Sequence, residues 1–328
     1  MRVLRGCIAV ACFLLSAVSA SGTTPGYPPQ ILAVSVQGGE ADPFDGGCPF
    51  DPSAGVRGTR FVSICQPGFY ESTGPYQIGI SRSPFHAMSV IAEDPMFLAE
   101  PTISPDGRWV AFDVISQPAT AEVKVDLNVV RSDGTDRHVL AAGRYSATWA
   151  SDSRRLLARN DLTGNLDLID LNGRAKRFAL GLSAAWQPHG RLVAYEGPGG
   201  RLIVQRDDGK QRRVFGPVQQ DSIAWSPDGR VLAYESDSTR FSEGLVTWNR
   251  HTHKTRLLAA QSPVRAAWSP DGRSLAVVSS PYTSSVGYAL YVVPRNGGRV
   301  RLVFDPGGRS IVRVSWLANG RLVFVLTP

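Results

Sequence analysis

The segment Trp225-Ser-Pro-Asp-Gly-Arg-Val-Leu-Ala-Tyr234 decides the fold, because versions of it recur along the whole chain. Each copy has an apolar or Trp anchor, a polar turn, usually an Arg, and then an apolar strand. Successive anchors lie 46, 37, 39, 43 and 48 residues apart, and five of the seven Trp residues occupy this position. Such a fixed period indicates a repeat architecture. The six copies are Ile103-SPDGRWVAF, Trp149-ASDSRRLLA, Trp186-QPHGRLVAY, Trp225-SPDGRVLAY, Trp268-SPDGRSLAV and Trp316-LANGRLVFV.

A second pattern interleaves with the first and consists of an alternating strand, a polar turn and a short strand. Dipeptides that tolerate positive φ, such as Asp133-Gly134 and Asn296-Gly297, stand between the paired strands. Two hairpins per period give four antiparallel strands, A to D, which is the composition of one propeller blade. The six hairpins span residues 76–91, 127–140, 166–180, 202–215, 245–258 and 290–304.

The sequence therefore predicts an all-β fold, a six-bladed β-propeller of four-stranded antiparallel blades over residues 59–328. The last copy stops after strands A and B, so the hairpin at 76–91 is expected to add strands C and D, and the N- and C-terminal segments then share one blade with no open edge. Two segments, 60–65 and 321–326, compete for the B place of that blade. Residues 21–58 are expected to form an irregular Gly- and Pro-rich extension with one candidate strand at 31–36.

Residues 1–20 have the pattern of a secretory signal peptide, with Arg2 and Arg5 ahead of an apolar stretch from Ile8 to Ala20. Cleavage after Ala20 predicts an exported protein, periplasmic or extracellular, with no transmembrane segment in the mature chain. An uncleaved anchor is the alternative. The full chain has a net charge of +7. Its basic residues are spread along the sequence rather than clustered, so no nucleic-acid partner is expected.

The cysteine count agrees with export. Cys48 and Cys65 are the two cysteines that remain after removal of the signal. An even pair in an oxidising compartment predicts one disulfide. In the chain-entropy model, closing this loop of about 17 residues contributes roughly 3 kcal/mol of stability. Two free buried thiols are the alternative.

The Ser-Pro-Asp-Gly-Arg run after the anchor resembles the repeat of the TolB-like propellers, with near-ideal copies at 104–108, 226–230 and 269–273. The resemblance covers about residues 60–328 and implies the propeller fold. It says less about function, since the same repeat occurs in TolB and in the N-terminal propellers of prolyl-oligopeptidase-like peptidases.

Both kinds of relative carry a domain that this sequence is not expected to have. About 40 mature residues precede residue 60, too few for the α/β domain of TolB. The nearest match to the Gly-x-Ser-x-Gly nucleophile elbow of the peptidases is Gly181-Leu-Ser183-Ala-Ala185, which lacks the second Gly. The resemblance therefore implies a stand-alone TolB-like propeller rather than a peptidase.

Three groups of polar residues are candidate ligands, and we expect no metal and no cofactor from them. The turn carboxylates are expected to accept backbone N–H bonds, as Asx turns do. A His pair lies in a turn without a third ligand nearby in the sequence. An acidic set offers the oxygen ligands that Ca²⁺ prefers, but its spacing fits no known loop. The turn carboxylates are Asp106, Asp152, Asp228 and Asp271. The His pair is His251 and His253, and the acidic set is Glu40, Asp42, Asp45 and Asp51.

The D–A and B–C loops vary in length and chemistry, whereas the A–B and C–D turns are uniform. Binding residues concentrate on variable loops over a rigid scaffold, and Arg and Tyr are favoured at binding hot spots. Residues in the opposite turns, such as Arg137 and Lys210, are expected to be neutral for binding. The predicted partner-binding residues are Arg144, Tyr145, Gln220, Asp221, Gln261, Arg265 and Arg309; the same loops also carry Asp94, Phe97, Arg240, Phe241 and Tyr282.

The sequence thus predicts an exported, non-catalytic protein-binding scaffold in the cell envelope or outside the cell. Its partner is expected to be a protein or another envelope component, and no catalytic residue is assigned. The alternatives are a propeller enzyme of the lyase or lactonase type and a small-ligand or glycan-binding propeller. Either would work from the mouth of the central channel.

Overall fold

The computed structural model describes residues 30–43, 50–54, 60–65, 75–81, 88–116, 123–219, 222–236, 244–259, 263–279 and 288–327. Within these ranges the chain forms seven four-stranded antiparallel sheets, whose innermost strands follow one another around a ring. The protein is an all-β propeller of four-stranded antiparallel blades, but the expected count of six blades is wrong.

No helix in the described ranges is long and apolar enough to cross a membrane. Residues 1–20 lie outside these ranges, so the signal peptide stays a prediction.

The two ends of the described chain share one sheet, blade 7. Its inner strands are β27 (Ser310–Trp316) and β28 (Arg321–Thr327), and its outer strands are β1 (Gln30–Ser35) and β2 (Asp42–Pro43). Residues 321–327 therefore fill the B place. The segment expected to be an irregular extension supplies strands C and D, so the expectation that the hairpin at 76–91 does so is wrong. Strand β1 is antiparallel to β28 from Gln30↔Leu326 onward.

The additional sheet is blade 1, formed by β3 (Phe50–Ala54), β4 (Phe61–Cys65), β5 (Tyr76–Ser81) and β6 (Ser89–Asp94). The competing segment 60–65 is thus strand B of a separate blade, and its residues 61–65 are buried. The repeat pattern missed this blade because its first strand has neither the Trp anchor nor the Ser-Pro-Asp-Gly-Arg turn. Cys65 ends β4 in a buried position. Cys48 lies outside the described residues, so their pairing stays a prediction.

Blades 2 to 6 each consist of four consecutive strands, A innermost and D outermost. Blade 2 contains β7 (Phe97–Ile103), β8 (Trp109–Ser116), β9 (Lys124–Arg131) and β10 (His138–Ala142). Blade 3 contains β11 (Arg144–Trp149), β12 (Arg155–Asn160), β13 (Asn165–Asp170) and β14 (Ala175–Leu180). Blade 4 contains β15 (Ala184–Trp186), β16 (Leu192–Gly197), a 3-10 turn (Pro198–Gly200), β17 (Arg201–Arg206) and β18 (Arg213–Pro217).

The same order continues through the next two blades. Blade 5 contains β19 (Ala224–Trp225), β20 (Val231–Ser236), β21 (Gly244–Asn249) and β22 (Thr255–Ala259). Blade 6 contains β23 (Pro263–Trp268), β24 (Ser274–Ser279), β25 (Ala289–Pro294) and β26 (Arg301–Phe304). The core lies between blades, as where Leu202 of blade 4 shares one apolar cluster with Trp225 of blade 5. Strands B and C have both faces covered in this way, which explains their nearly continuous apolar runs.

The Trp anchors join neighbouring blades by hydrogen bonds as well as by packing. In four of the five, the indole Nε1–H donates to a carbonyl at the end of the preceding blade's strand A. The exception is Trp186, whose indole donates to Gly190 of its own turn over 3.3 Å. A buried indole N–H needs such an acceptor. The four bonds run from Trp149 to Thr102 (3.2 Å), Trp225 to Ala185 (3.2 Å), Trp268 to Ala224 (3.1 Å) and Trp316 to Ala267 (2.9 Å).

Hydrogen bonds within the A–B turns confirm the structural role of the turn carboxylates. Asp106 Oδ1 accepts from the hydroxyl of Ser104 over 2.6 Å and from the backbone N–H of Arg108 over 3.0 Å. The same two bonds recur at Asp228 and Asp271. Asp152 keeps the bond from the backbone N–H two residues later. These carboxylates are therefore engaged in shaping the turn.

Candidate binding face at the channel mouth

The innermost strands β27, β3, β7, β11, β15, β19 and β23 surround the central channel. The D–A loops lead into these strands and open at one end of the channel, together with the B–C loops. Of the predicted partner-binding residues, the structure describes Arg144, Tyr145, Arg265 and Arg309 at this end. The other three, Gln220, Asp221 and Gln261, lie outside the described residues. Three further loop residues also lie outside them: Arg240, Phe241 and Tyr282.

Arg144 is the first residue of β11 and is bonded both to its own blade and to the end of blade 2. Its Nε and Nη2 donate to Asp167 Oδ2 over 3.3 and 3.1 Å, and its Nη1 donates to the carbonyl of Ala142 over 2.7 Å. The buried Asp167 also accepts from Asn160 Nδ2 over 3.0 Å. A guanidinium held by a buried carboxylate keeps one orientation. The charge of Arg144 is therefore positioned at the mouth, with a quarter of its side chain exposed.

Tyr145 follows Arg144 and faces Arg159 across the β11–β12 ladder. The guanidinium carbon of Arg159 lies 5.5 Å from the centroid of the Tyr145 ring, a cation–π distance. The next residue, Ser146, has a φ of +51°, and its N–H donates to Asp113 Oδ2 of blade 2 over 2.9 Å. The strand is therefore irregular directly after the Arg144–Tyr145 pair, and a carboxylate of the neighbouring blade fixes the backbone there.

A charged cluster joins three of the innermost strands. Glu100 of β7 forms an ion pair with Arg313 of β27, and the side chains are 28% and 24% exposed. Arg265 of β23 is close enough for its charge to act on the same carboxylate. Burial of Glu100 raises its pKa. Ion pairing and hydrogen bonding with Arg313, with the charge of Arg265, outweigh burial and hold the pKa of Glu100 below its usual value.

Sequence reasoning found Arg265 but missed Glu100 and Arg313. The signal that would have found them is their position three residues before the anchor, which carries a polar side chain in every blade with an anchor. All three residues of the charged cluster, Glu100, Arg265 and Arg313, occupy this position. The six residues at this position are Glu100, Ser146, Ser183, Ser222, Arg265 and Arg313.

The remaining predicted residues of this face are anchored to neighbouring strands. Arg309 Nη1 donates to Gln30 Oε1 over 3.1 Å, which ties the last D–A loop to β1. Asp94 forms an ion pair with Arg137 of blade 2. Phe97 packs edge-on against Tyr76, with ring centroids 5.1 Å apart. Arg137, expected to be a neutral position, is therefore a contact between blades 1 and 2.

The structure does not bring the candidate metal ligands together within the residues that it describes. His253 stacks on Trp248, with ring centroids 6.2 Å apart, in the exposed C–D turn of blade 5. Asp42 pairs with Arg321. Asp45 lies outside the described residues, and of Asp51 only the backbone is described. In the described part of the chain, no three His, Cys, Asp or Glu side chains come together as a metal site.

The partial nucleophile-elbow match is a blade entry. Leu182 N–H donates to the carbonyl of Glu196 over 2.9 Å, and Glu196 N–H donates to the carbonyl of Ser183 over 3.0 Å. A Cβ on Gly181 would lie 2.6 Å from that Glu196 carbonyl oxygen, so glycine is needed for this close approach. The segment around Ser183 therefore continues the β-ladder instead of forming an elbow.

Comparisons with known proteins place the chain among β-propellers. No protein family and no curated protein matches its sequence. Among solved structures, an oligogalacturonate lyase in complex with manganese superposes with a TM-score of 0.64 at 15% identity, covering 92% of this chain and 97% of the lyase. A putative TolB from Agrobacterium tumefaciens gives a TM-score of 0.52 at 17% identity, covering 74% and 94%.

A prolyl endopeptidase gives a TM-score of 0.62 at 14% identity. The match covers 95% of this chain but 50% of the endopeptidase, so the chain spans half the length of that enzyme. Identities this low show the fold alone. Because the similar structures include a lyase, a peptidase and a putative TolB, the propeller class does not by itself define an activity.

Proposed function

We propose that this protein is an exported, non-catalytic binding propeller whose partner, a protein or another envelope component, docks on the face of the D–A and B–C loops. The observation that carries the proposal is the set of arginines around the channel mouth, contributed by separate blades. Arg144 is held by Asp167, and Arg309 is bonded to Gln30. Side chains ordered before association lose less conformational entropy on binding.

The chemistry of the mouth favours a partner segment that carries carboxylates. Arg144, Arg265 and Arg309 enter from three different blades, and Tyr145 adds an aromatic surface beside Arg144. Arg presents several N–H donors in a planar fork that matches a carboxylate, and Arg and Tyr are enriched among binding hot spots. An acidic loop or terminus of an envelope protein has the complementary charge.

Export is part of the proposal and is supported by the signal-peptide pattern of residues 1–20. The enzyme alternative is supported by the fold that the chain shares with the lyase, and a shared fold does not transfer an activity. The arginines of the mouth suit binding without requiring a reaction.

The proposal is tested by comparing two variants of the mature chain in capture from envelope extract, followed by affinity measurement with the captured partner. The first variant carries Arg144→Ala, Arg265→Ala and Arg309→Ala at the mouth. The second carries Arg108→Ala, Arg230→Ala and Arg273→Ala in the A–B turns at the opposite end. We expect the mouth variant to lose about 2 kcal/mol or more of binding free energy and the second to bind as the wild type does. Equal binding by the mouth variant would contradict the proposal.

A further inference from the structure

The fold gathers the positive charge of the molecule on one side of its perimeter. The outer hairpins of blades 3 to 6, each formed by strands C and D with their turn, contain fourteen Lys and Arg against four Asp and no Glu. The outer hairpins of blades 7, 1 and 2 contain four Lys and Arg against seven Asp and Glu. We call the first set the basic rim: residues 165–180, 201–217, 244–259 and 289–304. Basic residues that are spread along the sequence thus become neighbours in the ring.

The outermost strands of the basic rim repeat one local arrangement. In three consecutive blades an Arg is followed by an exposed aliphatic residue at the same place in the ladder, just before a bulge. In blade 3 the corresponding place is taken by Lys176. A ligand that follows the rim meets a cation in each successive blade, and in blades 4 to 6 the exposed aliphatic residue lies on the other face of the strand. The three pairs are Arg213–Val214, Arg256–Leu257 and Arg301–Leu302, whose aliphatic residues are 41%, 38% and 49% exposed.

The three arginines also touch the C–D turn of the next blade. Arg213 Nη2 lies 3.5 Å from His253 Nε2, Arg256 donates to the carbonyl of Asn296, and Arg301 Nη1 donates to Gln37 Oε1 over 2.9 Å. Each contact uses one of the five N–H donors of a guanidinium. The guanidinium groups are therefore oriented along the rim and keep donors for a ligand.

The aromatic rings of these outer strands are turned inward. Phe215 packs against Trp248 with ring centroids 5.2 Å apart, and Phe178 packs against Tyr195 at 5.8 Å. Single-stranded nucleic acid is bound through aromatic side chains on which bases stack, and these rings do not serve that purpose. The rim is also a convex edge of four blades, which a flexible chain can follow and a flat bilayer cannot.

We propose that the basic rim binds a linear acidic polysaccharide. Its carboxylates pair with the Lys and Arg side chains, since guanidinium and carboxylate groups match in geometry and charge. This site lies on the perimeter, apart from the channel mouth, and it stands whether or not a partner docks at the mouth.

The experiment measures binding of the full mature chain to alginate, a linear polyuronate, between about 50 and 200 mM salt. The test variant carries Lys176→Glu, Arg177→Glu, Lys254→Glu and Arg299→Glu, four exposed positions of the rim. The control variant carries Arg108→Glu, Arg154→Glu, Arg230→Glu and Arg273→Glu in the exposed A–B turns, so its net charge changes equally. We expect affinity to fall steeply with salt, and to fall at least about tenfold in the test variant and less than about threefold in the control.

Four results would overturn the proposal: no alginate binding by the wild type at low salt; equal losses in both variants; equal binding of neutral dextran; or tighter binding of duplex DNA or of phosphatidylglycerol vesicles. If the test variant fails to unfold cooperatively, the neutralising set Lys176→Ala, Arg177→Ala, Lys254→Ala and Arg299→Ala replaces it. The alginate affinity of that variant is then compared with the affinity of a control variant that carries Ala at Arg108, Arg154, Arg230 and Arg273.

Discussion

Arg313 and Glu100 form an ion pair although their strands are not neighbours in the ring. Arg313 belongs to β27 of blade 7 and Glu100 to β7 of blade 2, and β3 of blade 1 lies between them. The pair therefore links the blade that closes the ring to the second blade beyond it. This ion pair therefore stabilises the closed ring from inside the channel.

Replacing Glu100 by Gln should destabilise the protein at neutral pH, because Arg313 loses its carboxylate. A double-mutant cycle of Glu100→Gln with Arg313→Gln should give a coupling energy of about 1–2 kcal/mol in chemical unfolding. Because the folded pKa of Glu100 is lowered, its stabilisation is complete above the ordinary pKa of about 4.3 and is lost as pH falls through the folded pKa. The stability difference between wild type and Glu100→Gln should therefore narrow only in strong acid. A difference that stays constant down to the lowest pH would contradict this assignment.

Replacing Trp268 by Phe should cost more stability than replacing Trp186 by Phe. The Trp268 indole donates to Ala224 of the preceding blade, whereas the Trp186 indole donates to its own turn. Removing the first donor leaves an inner-strand carbonyl without that bond, at a cost of about 1–3 kcal/mol. Thermal unfolding of both variants measures the difference. Equal losses would show that the indole bond between blades contributes nothing beyond packing.

Deleting residues 30–43 should abolish cooperative unfolding or solubility. The deletion removes β1 and β2 and leaves the edge of β28 unpaired along its length. An exposed strand edge pairs with other chains. Size-exclusion chromatography and a thermal melt test this expectation, and a monomeric deletion variant with the melting profile of the full chain would show that blade 7 does not close the ring.

Cys48 and Cys65 are predicted to form one disulfide. Peptide mapping without reductant should find a single crosslinked peptide that contains both residues. Alkylation of both thiols in unreduced protein would reject the pairing.

The sequence was sufficient for the blade architecture because the Trp anchor and the Ser-Pro-Asp-Gly-Arg turn mark an inner strand wherever they occur. Blade 1 has neither, so its first strand was not recognised and the count was one blade short. At the candidate site, Arg144 and Arg265 could be placed near the channel mouth from the loops that precede their strands. The pairing of Arg313 with Glu100 could not be predicted, because the two residues are 213 positions apart in the sequence. The contact of Arg137 with Asp94 was missed for the same reason, since it joins an outer strand of one blade to the turn of the next.

The sharing of blade 7 has a mechanical consequence. Gln30 at the start of β1 lies opposite Leu326 near the end of β28, so a load applied at residues 30 and 327 acts on one end of an antiparallel pair. The hydrogen bonds between two such strands break one after another from the loaded end, instead of all at once. Under tension the ring should open first at the β1–β28 pair of blade 7, while blades 1 to 6, each built from contiguous chain, remain folded.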